Sequence, residues 1–288
     1  MLKRLTASLA FVIIAAAGCG EEEERMFTAS SPGSDPGPVH VHGLGVNPGD
    51  RALFIATHTG LFRLARGEET PSRIADRYQD TMGFTIVGPD RFLGSGHPDG
   101  REDLPPFLGL IESADAGESW EPVSLLGKAD FHVLEAQNDD VYGFGFDWET
   151  REPQLLASSD GGETWESRSF PESLLSLAID PTDSSRLVAG GETSTHLSTD
   201  GGATWRELGP ASGLLAWRLA GDLFMVSRDG TVQSSDDGSS WRTVGQVGGE
   251  PSAFEADREG LYVALHDGTI KQSDDGGRTW SVRFQPPV

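Results

Sequence analysis

One octapeptide recurs five times in this 288-residue chain, and no other feature narrows the possible folds as far. The copies are SADAGESW (113–120), SSDGGETW (158–165), STDGGATW (198–205), SSDDGSSW (234–241) and SDDGGRTW (273–280). Their starts lie 45, 40, 36 and 39 residues apart. A period near 40 residues that holds several short strands is what one blade of a β-propeller requires. Each copy reads as a tight turn between strands. The carboxylates of Asp115, Asp160, Asp200, Asp236 and Asp275 suit backbone N–H groups inside such a turn. Gly117, Gly162, Gly202, Gly238 and Gly277 can take positive φ there without a Cβ clash. These aspartates are read as structural: they repeat because the blade repeats.

Alternating apolar runs fill the intervals between the copies. Residues 174–179, 186–190, 194–198 and 205–208 read as the four strands of one blade. Paired runs at 83–87 with 91–94, 131–136 with 141–146, 214–219 with 223–227, and 253–256 with 261–265 start four more. Upstream, 42–46, 52–57 and 60–64 keep the rhythm without the octapeptide. The expectation is an all-β, six-bladed propeller over 39–288, with five or seven blades if the first segment is miscounted.

The octapeptide S-x-D-x-G-x-[TS]-W resembles the Asp-box, or BNR repeat, of the sialidase-like superfamily, and the five copies cover 113–280. The segments HGLGV…THTGLF, MGF, SGHP and SLLG…DFH resemble bacterial lipoproteins of that superfamily labelled glycosyl hydrolases. The resemblance implies a propeller whose ligand face lies opposite the Asp-box turns. That face is built from the loop between the second and third strands of each blade and the loop leading into each innermost strand. Sialidases use three arginines, a Tyr–Glu nucleophile pair and an Asp acid/base behind an Arg-Ile-Pro signature. Here Arg73-Ile74 is followed by Ala75, the only tyrosines are Tyr78, Tyr142 and Tyr262, and no arginine triad is evident. Another glycosidase chemistry needs only two carboxylates, for which the pool is Asp80, Asp130, Asp147 and Glu149. Asp-box propellers also include receptors and assembly factors that are not enzymes, so fold alone does not give function.

The first residues read as an export signal: Lys3 and Arg4, then an apolar stretch too short for a comfortable membrane span. It ends in Ala16-Ala17-Gly18-Cys19, which resembles a bacterial lipobox and implies cleavage before a diacylglycerol-bearing Cys19. An ordinary signal peptide with an incidental cysteine is the competing reading. Residues 1–18 are thus expected to be signal peptide, and 19–38 an acylated cysteine with a Ser-, Gly- and Pro-rich tether. The expected place is the outer face of a bacterial membrane. Cys19 is the only cysteine, so no disulfide forms within the chain. A net charge of −23 repels nucleic acid and favours cationic partners.

On the expected ligand face fall six of the seven histidines: His40, His42, His58, His97, His132 and His266. His196 falls within a strand. Imidazoles beside carboxylates suit Zn or Cu, and His42, His58, His132 and His266 are the candidate ligands. An unmetallated pocket and plain channel-lining histidines are the alternatives. Tyr78, His97, Arg101 and Trp148 are candidates for holding a glycan, small ligand or protein partner; Asp80, Asp130 and Asp147 are candidates for catalysis. The long segment 95–107 is either a recognition loop or a surface insertion.

Overall fold

The computed structural model describes residues 35–287. The signal segment, Cys19 and most of the expected tether lie outside these residues. Among the described residues there are 24 strands, and no helix is long and apolar enough to cross a membrane. The strands form six four-stranded antiparallel meanders, each in sequence order, arranged as a ring. The protein is a six-bladed β-propeller.

Blade one comprises Val41–Val46, Leu53–Thr57, Gly60–Leu64 and Ser72–Arg73. Its short fourth strand carries no octapeptide before it and left no periodic signal in the sequence. Blade two is Asp80–Gly88, Arg91–His97, Leu110–Ser113 and Glu121–Ser124, and blade three is Ala129–Gln137, Asp140–Asp147, Pro153–Ser158 and Glu166–Arg168. Blade four is Leu174–Asp180, Asp183–Gly191, Thr195–Ser198 and Arg206–Gly209. Blade five is Leu214–Trp217, Leu223–Val226, Thr231–Ser235 and Arg242–Gln246; blade six is Pro251–Ala256, Leu261–Leu265, Ile270–Ser273 and Ser281–Phe284.

The second strand of a blade is buried on both sides, which is why it reads as a continuous apolar run. Side chains alternate across a strand, so each strand feeds two cores at once. Leu53 and Ile55 pack against blade six with Tyr262 and Ile270, whereas Phe54 and Ala56 pack against blade two with Phe84 and Phe92. Six such clusters occupy the six seams between blades. The seam between blades one and six closes the ring by packing rather than by a shared strand, and an Arg51–Asp257 ion pair spans it. Innermost strands converge closely: a Cβ at Gly83 would lie 2.7 Å from the Phe131 carbonyl oxygen of the next blade.

The octapeptide turns join third to fourth strands, all at one end of the ring. In the blade-three copy, Ser158 Oγ donates to Asp160 Oδ1 (2.7 Å) and accepts from Gly162 N–H (2.9 Å). Asp160 in turn accepts from Thr164 N–H (2.9 Å) and Thr164 Oγ–H (2.5 Å). Bonds from Ser158 and Thr164 hold the Asp160 carboxyl down at about 2. Asp115, Asp200 and Asp275 repeat the pattern. Blade five departs from it. There Ser235 Oγ accepts from Gly238 N–H (2.8 Å), and Asp237, not Asp236, accepts from Ser239 N–H (2.9 Å) and Oγ–H (2.5 Å). The turn is one residue tighter, so the structural carboxylate shifts from Asp236 to its neighbour.

Two of the indoles that end the octapeptides fasten blades together. Trp165 Nε1–H donates to Ser124 Oγ (2.9 Å) of blade two, and Trp205 Nε1–H to the Ser169 carbonyl (2.8 Å) following blade three.

Candidate functional site

Innermost strands start at the end of the ring opposite the octapeptide turns, and the loops between second and third strands lie at that same end. The meander order therefore places His40, His42, His58, His97, His132 and His266 on one face. His196 sits in the third strand of blade four, with Nε2 2.9 Å from Glu172 Oε1.

Two buried aspartates organise the histidines of blades one to three. Asp80, at the first residue of its innermost strand, is 6% exposed. Its Oδ2 lies 2.8 Å from His58 Nδ1, and its Oδ1 lies 3.5 Å from His42 Nε2. Asp130, 7% exposed, occupies the corresponding place one blade on. Its Oδ2 is 3.1 Å from His132 Nε2 and 3.8 Å from His97 Nε2. His42 Nε2, Asp80 Oδ1 and Asp130 Oδ1 are buried atoms with no hydrogen-bond partner. Burial pushes the His42 imidazole down to about 4, and the neighbouring His58, His132 and His40 push it the same way against the opposing pull of Asp80. His42 is therefore neutral at pH 7, with a lone pair on one ring nitrogen.

The four candidate metal ligands are not brought to one point. His42 and His58 share Asp80, His132 belongs with Asp130, and His266 lines a cavity of about 1050 Å³ alongside His40, His42, Arg228 and Glu250. That cavity opens among blades one, four, five and six. Asp147 pairs with Ala129, next to Asp130, in the ladder of blade three, but its carboxylate engages its own turn. Its Oδ1 accepts from Thr150 N–H (2.8 Å) and Oγ–H (2.9 Å), so it caps its own turn, and those bonds lower its pKa.

Aromatic side chains form a shelf beside the aspartates. Trp148 is 36% exposed; its ring lies 4.7 Å from that of Phe107, which in turn lies 5.1 Å from the His97 ring. The Arg151 guanidinium sits 3.8 Å from the centre of the Trp148 ring. Tyr78 lies between two guanidinium groups, Arg73 at 4.0 Å and Arg101 at 5.2 Å. Arg101, itself exposed, is paired with Asp99 (2.6 Å) and Asp76 (3.0 Å). The Arg101 guanidinium holds the Asp99 carboxyl well below the usual range. Asp99 also accepts the Tyr78 N–H (2.8 Å), which ties the 95–107 segment to the loop entering blade two. Phe146, 43% exposed and 5.7 Å ring-to-ring from His132, belongs to this shelf. Its place in the FGFD run gave it the look of a core strand residue.

Sequence reasoning also passed over two glutamates of the central channel. All six innermost strands line a cavity of about 300 Å³ that contains Glu135 and Glu255. Burial pushes Glu255 up to about 8; burial and then the Glu255 charge push Glu135 well above the carboxylate range. A lone Glu in an alternating strand carries no signal that it points down a channel.

No protein-family model and no curated protein matches the chain. Solved structures do. A gluconolactonase from Xanthomonas campestris is similar with a TM-score of 0.64 at 15% identity, over 80% of this chain and 84% of that one. YCF48 from Cyanidioschyzon merolae is similar with a TM-score of 0.51 at 14% identity, over 86% of each chain. An ancestral GH74 enzyme gives a TM-score of 0.53 at 14% identity, over 86% of this chain but only 39% of its own length. At these identities the likeness is one of fold alone.

Proposed function

We propose that the chain is an exported, lipid-anchored propeller with Asp-box turns, which binds a ligand or protein partner on its histidine-rich face. One observation carries this reading. The face opposite the octapeptide turns gathers six histidines, two buried aspartates with unpaired oxygens and the exposed rings of Tyr78, Phe146 and Trp148, and it carries an open cavity lined by His40, His42 and His266. A folded protein rarely leaves buried polar atoms unpaired without a use for them, and exposed aromatics beside such atoms are what ligand sites present. The lipobox-like Ala16–Cys19 segment supports the anchor, and the charge of −23 argues against nucleic acid as the partner.

The test is a thermal-shift screen of the full chain against glycans, glycosides, small organic acids and peptides. A ligand of this face stabilises wild-type protein and loses at least ~10-fold in affinity in Trp148→Ala or Asp130→Asn, a loss of roughly 1.4 kcal/mol. Hits that bind all variants equally would place the site elsewhere.

A second reading, glycoside hydrolysis, draws on the pair Asp80 and Asp130, both nearly buried and on adjacent innermost strands. Two carboxylates flanking one bond suffice for that chemistry. Turnover of a glycoside that disappears in both Asp80→Asn and Asp130→Asn supports it; turnover that survives both removes it.

A further inference from the structure

We propose that His42, His58 and Asp80 form a mononuclear site for a divalent transition-metal ion of the zinc type. This deepens the reading of the histidine-rich face as a ligand site and rests on it only for the role of the bound ion, not for its binding. Among the described residues, these three are the group whose ligating atoms converge, all lying within 4.8 Å of one another. His97, His132 and Asp130 do not form such a group among the described residues.

Two observations independent of that spacing point to an ion. Asp80 is buried, yet its Oδ1 accepts no hydrogen bond; His42 Nε2, facing it at 3.5 Å, is a buried ring nitrogen with no partner. Neither atom has a hydrogen-bond partner although they face one another 3.5 Å apart, and a cation or a proton between them would satisfy both. The second observation is the rigidity of the carriers. His42 lies in an innermost strand, and Asp80 opens the next one. His58 rides a two-residue turn locked by Thr57, whose Oγ1 donates to the Gly60 carbonyl (2.7 Å) and accepts the Thr59 N–H (3.1 Å). His58 N–H further donates to the His40 carbonyl (3.2 Å).

The donor set is two imidazole nitrogens and one carboxylate oxygen. Three protein ligands of this kind bind zinc while leaving a coordination position open. His42 also lines the 1050 Å³ cavity, so an open position on the ion would be reachable from it. The acidic field of the chain, −23 overall, raises the local concentration of cations.

The experiment uses the full chain purified without chelators and titrated with Zn²⁺, and separately with Co²⁺, whose visible absorption reports its ligands. The expected result is one Co²⁺ per chain with the visible bands of an imidazole-bound ion, displaced by one Zn²⁺. His42→Ala and Asp80→Asn, each checked for an unchanged circular-dichroism spectrum, should weaken binding by ~100-fold or more. His196→Ala, in blade four, should leave it unaltered. Because Asp80→Asn keeps the shape of the side chain, it separates loss of a ligand from loss of the fold. Absence of stoichiometric Co²⁺ binding to the wild type, or equal affinity in both variants, overturns the proposal. A ligand from the screen that binds chelated, metal-free protein on the same face would leave the broader reading standing while this one failed. A bound ion with every ligand mapping elsewhere would do the reverse.

Discussion

A single side chain in this fold often serves two blades, and that is where substitutions should be most telling. Gly162 adopts φ = 91° inside its turn, and a Cβ there would strike Leu110 Cδ2 of the preceding blade. Left-handed backbone costs a residue with a Cβ roughly 1–2 kcal/mol before any clash. Gly162→Ala should therefore destabilise the protein by at least ~1 kcal/mol in denaturant unfolding; an unaltered midpoint would refute the packing described. The tightened turn of blade five makes a sharper contrast. Asp237→Ala removes the acceptor for Ser239 N–H and Oγ–H and should lower stability, whereas Asp236→Ala, outside that pattern, should change it by less than ~0.5 kcal/mol. The sequence pattern pointed to Asp236 because it aligns eight letters; the hydrogen bonds instead follow the serine that starts the turn, and Ser234-Ser235 offers two.

Strands two of the blades explain why the architecture was readable from the chain. Each is a short apolar run in which alternate residues enter alternate seams, so the run looks fully hydrophobic and its length marks a blade. Phe54, wholly buried between blades one and two against Phe92 at 4.7 Å, shows what such a residue contributes. Phe54→Ala should cost about 3–5 kcal/mol, measurable by chemical denaturation; a cost near zero would mean the seam is not packed as described. The fourth strand of blade one, Ser72–Arg73, was not legible, since two residues have no period. Nor was the shelf of Phe107, Phe146 and Trp148. Its members come from loops and strand ends of two blades, and only their shared position in the meander brings them together.

At the scale of the whole ring, the channel and the two faces differ in kind. Glu255 lies in the channel with its pKa raised by burial to about 8, near Glu135, raised likewise, and close to the Asp257 charge. A carboxyl with a raised pKa keeps its proton in the folded state while the unfolded chain releases it. Its cost to stability is therefore absent below about pH 4.5 and grows as pH rises towards about 8. Glu255→Gln should gain stability over the wild type across that window, by up to ~1.4 kcal/mol per pH unit, and show no difference at its acid end. Parallel stability–pH curves for the two proteins would contradict this. The identity of the histidine-rich face followed from chain order: a meander alternates its ends, so residues before first strands and between second and third strands must share one. Which histidines meet which aspartate did not follow, because that depends on side-chain reach across a seam. The most direct test of the account is a hydrogen-exchange footprint of the strongest ligand found in the screen. Protection at 40–42, 58, 97–107, 130–132 and 148 is predicted; protection confined to the octapeptide turns at the opposite end would contradict the assignment of the binding face.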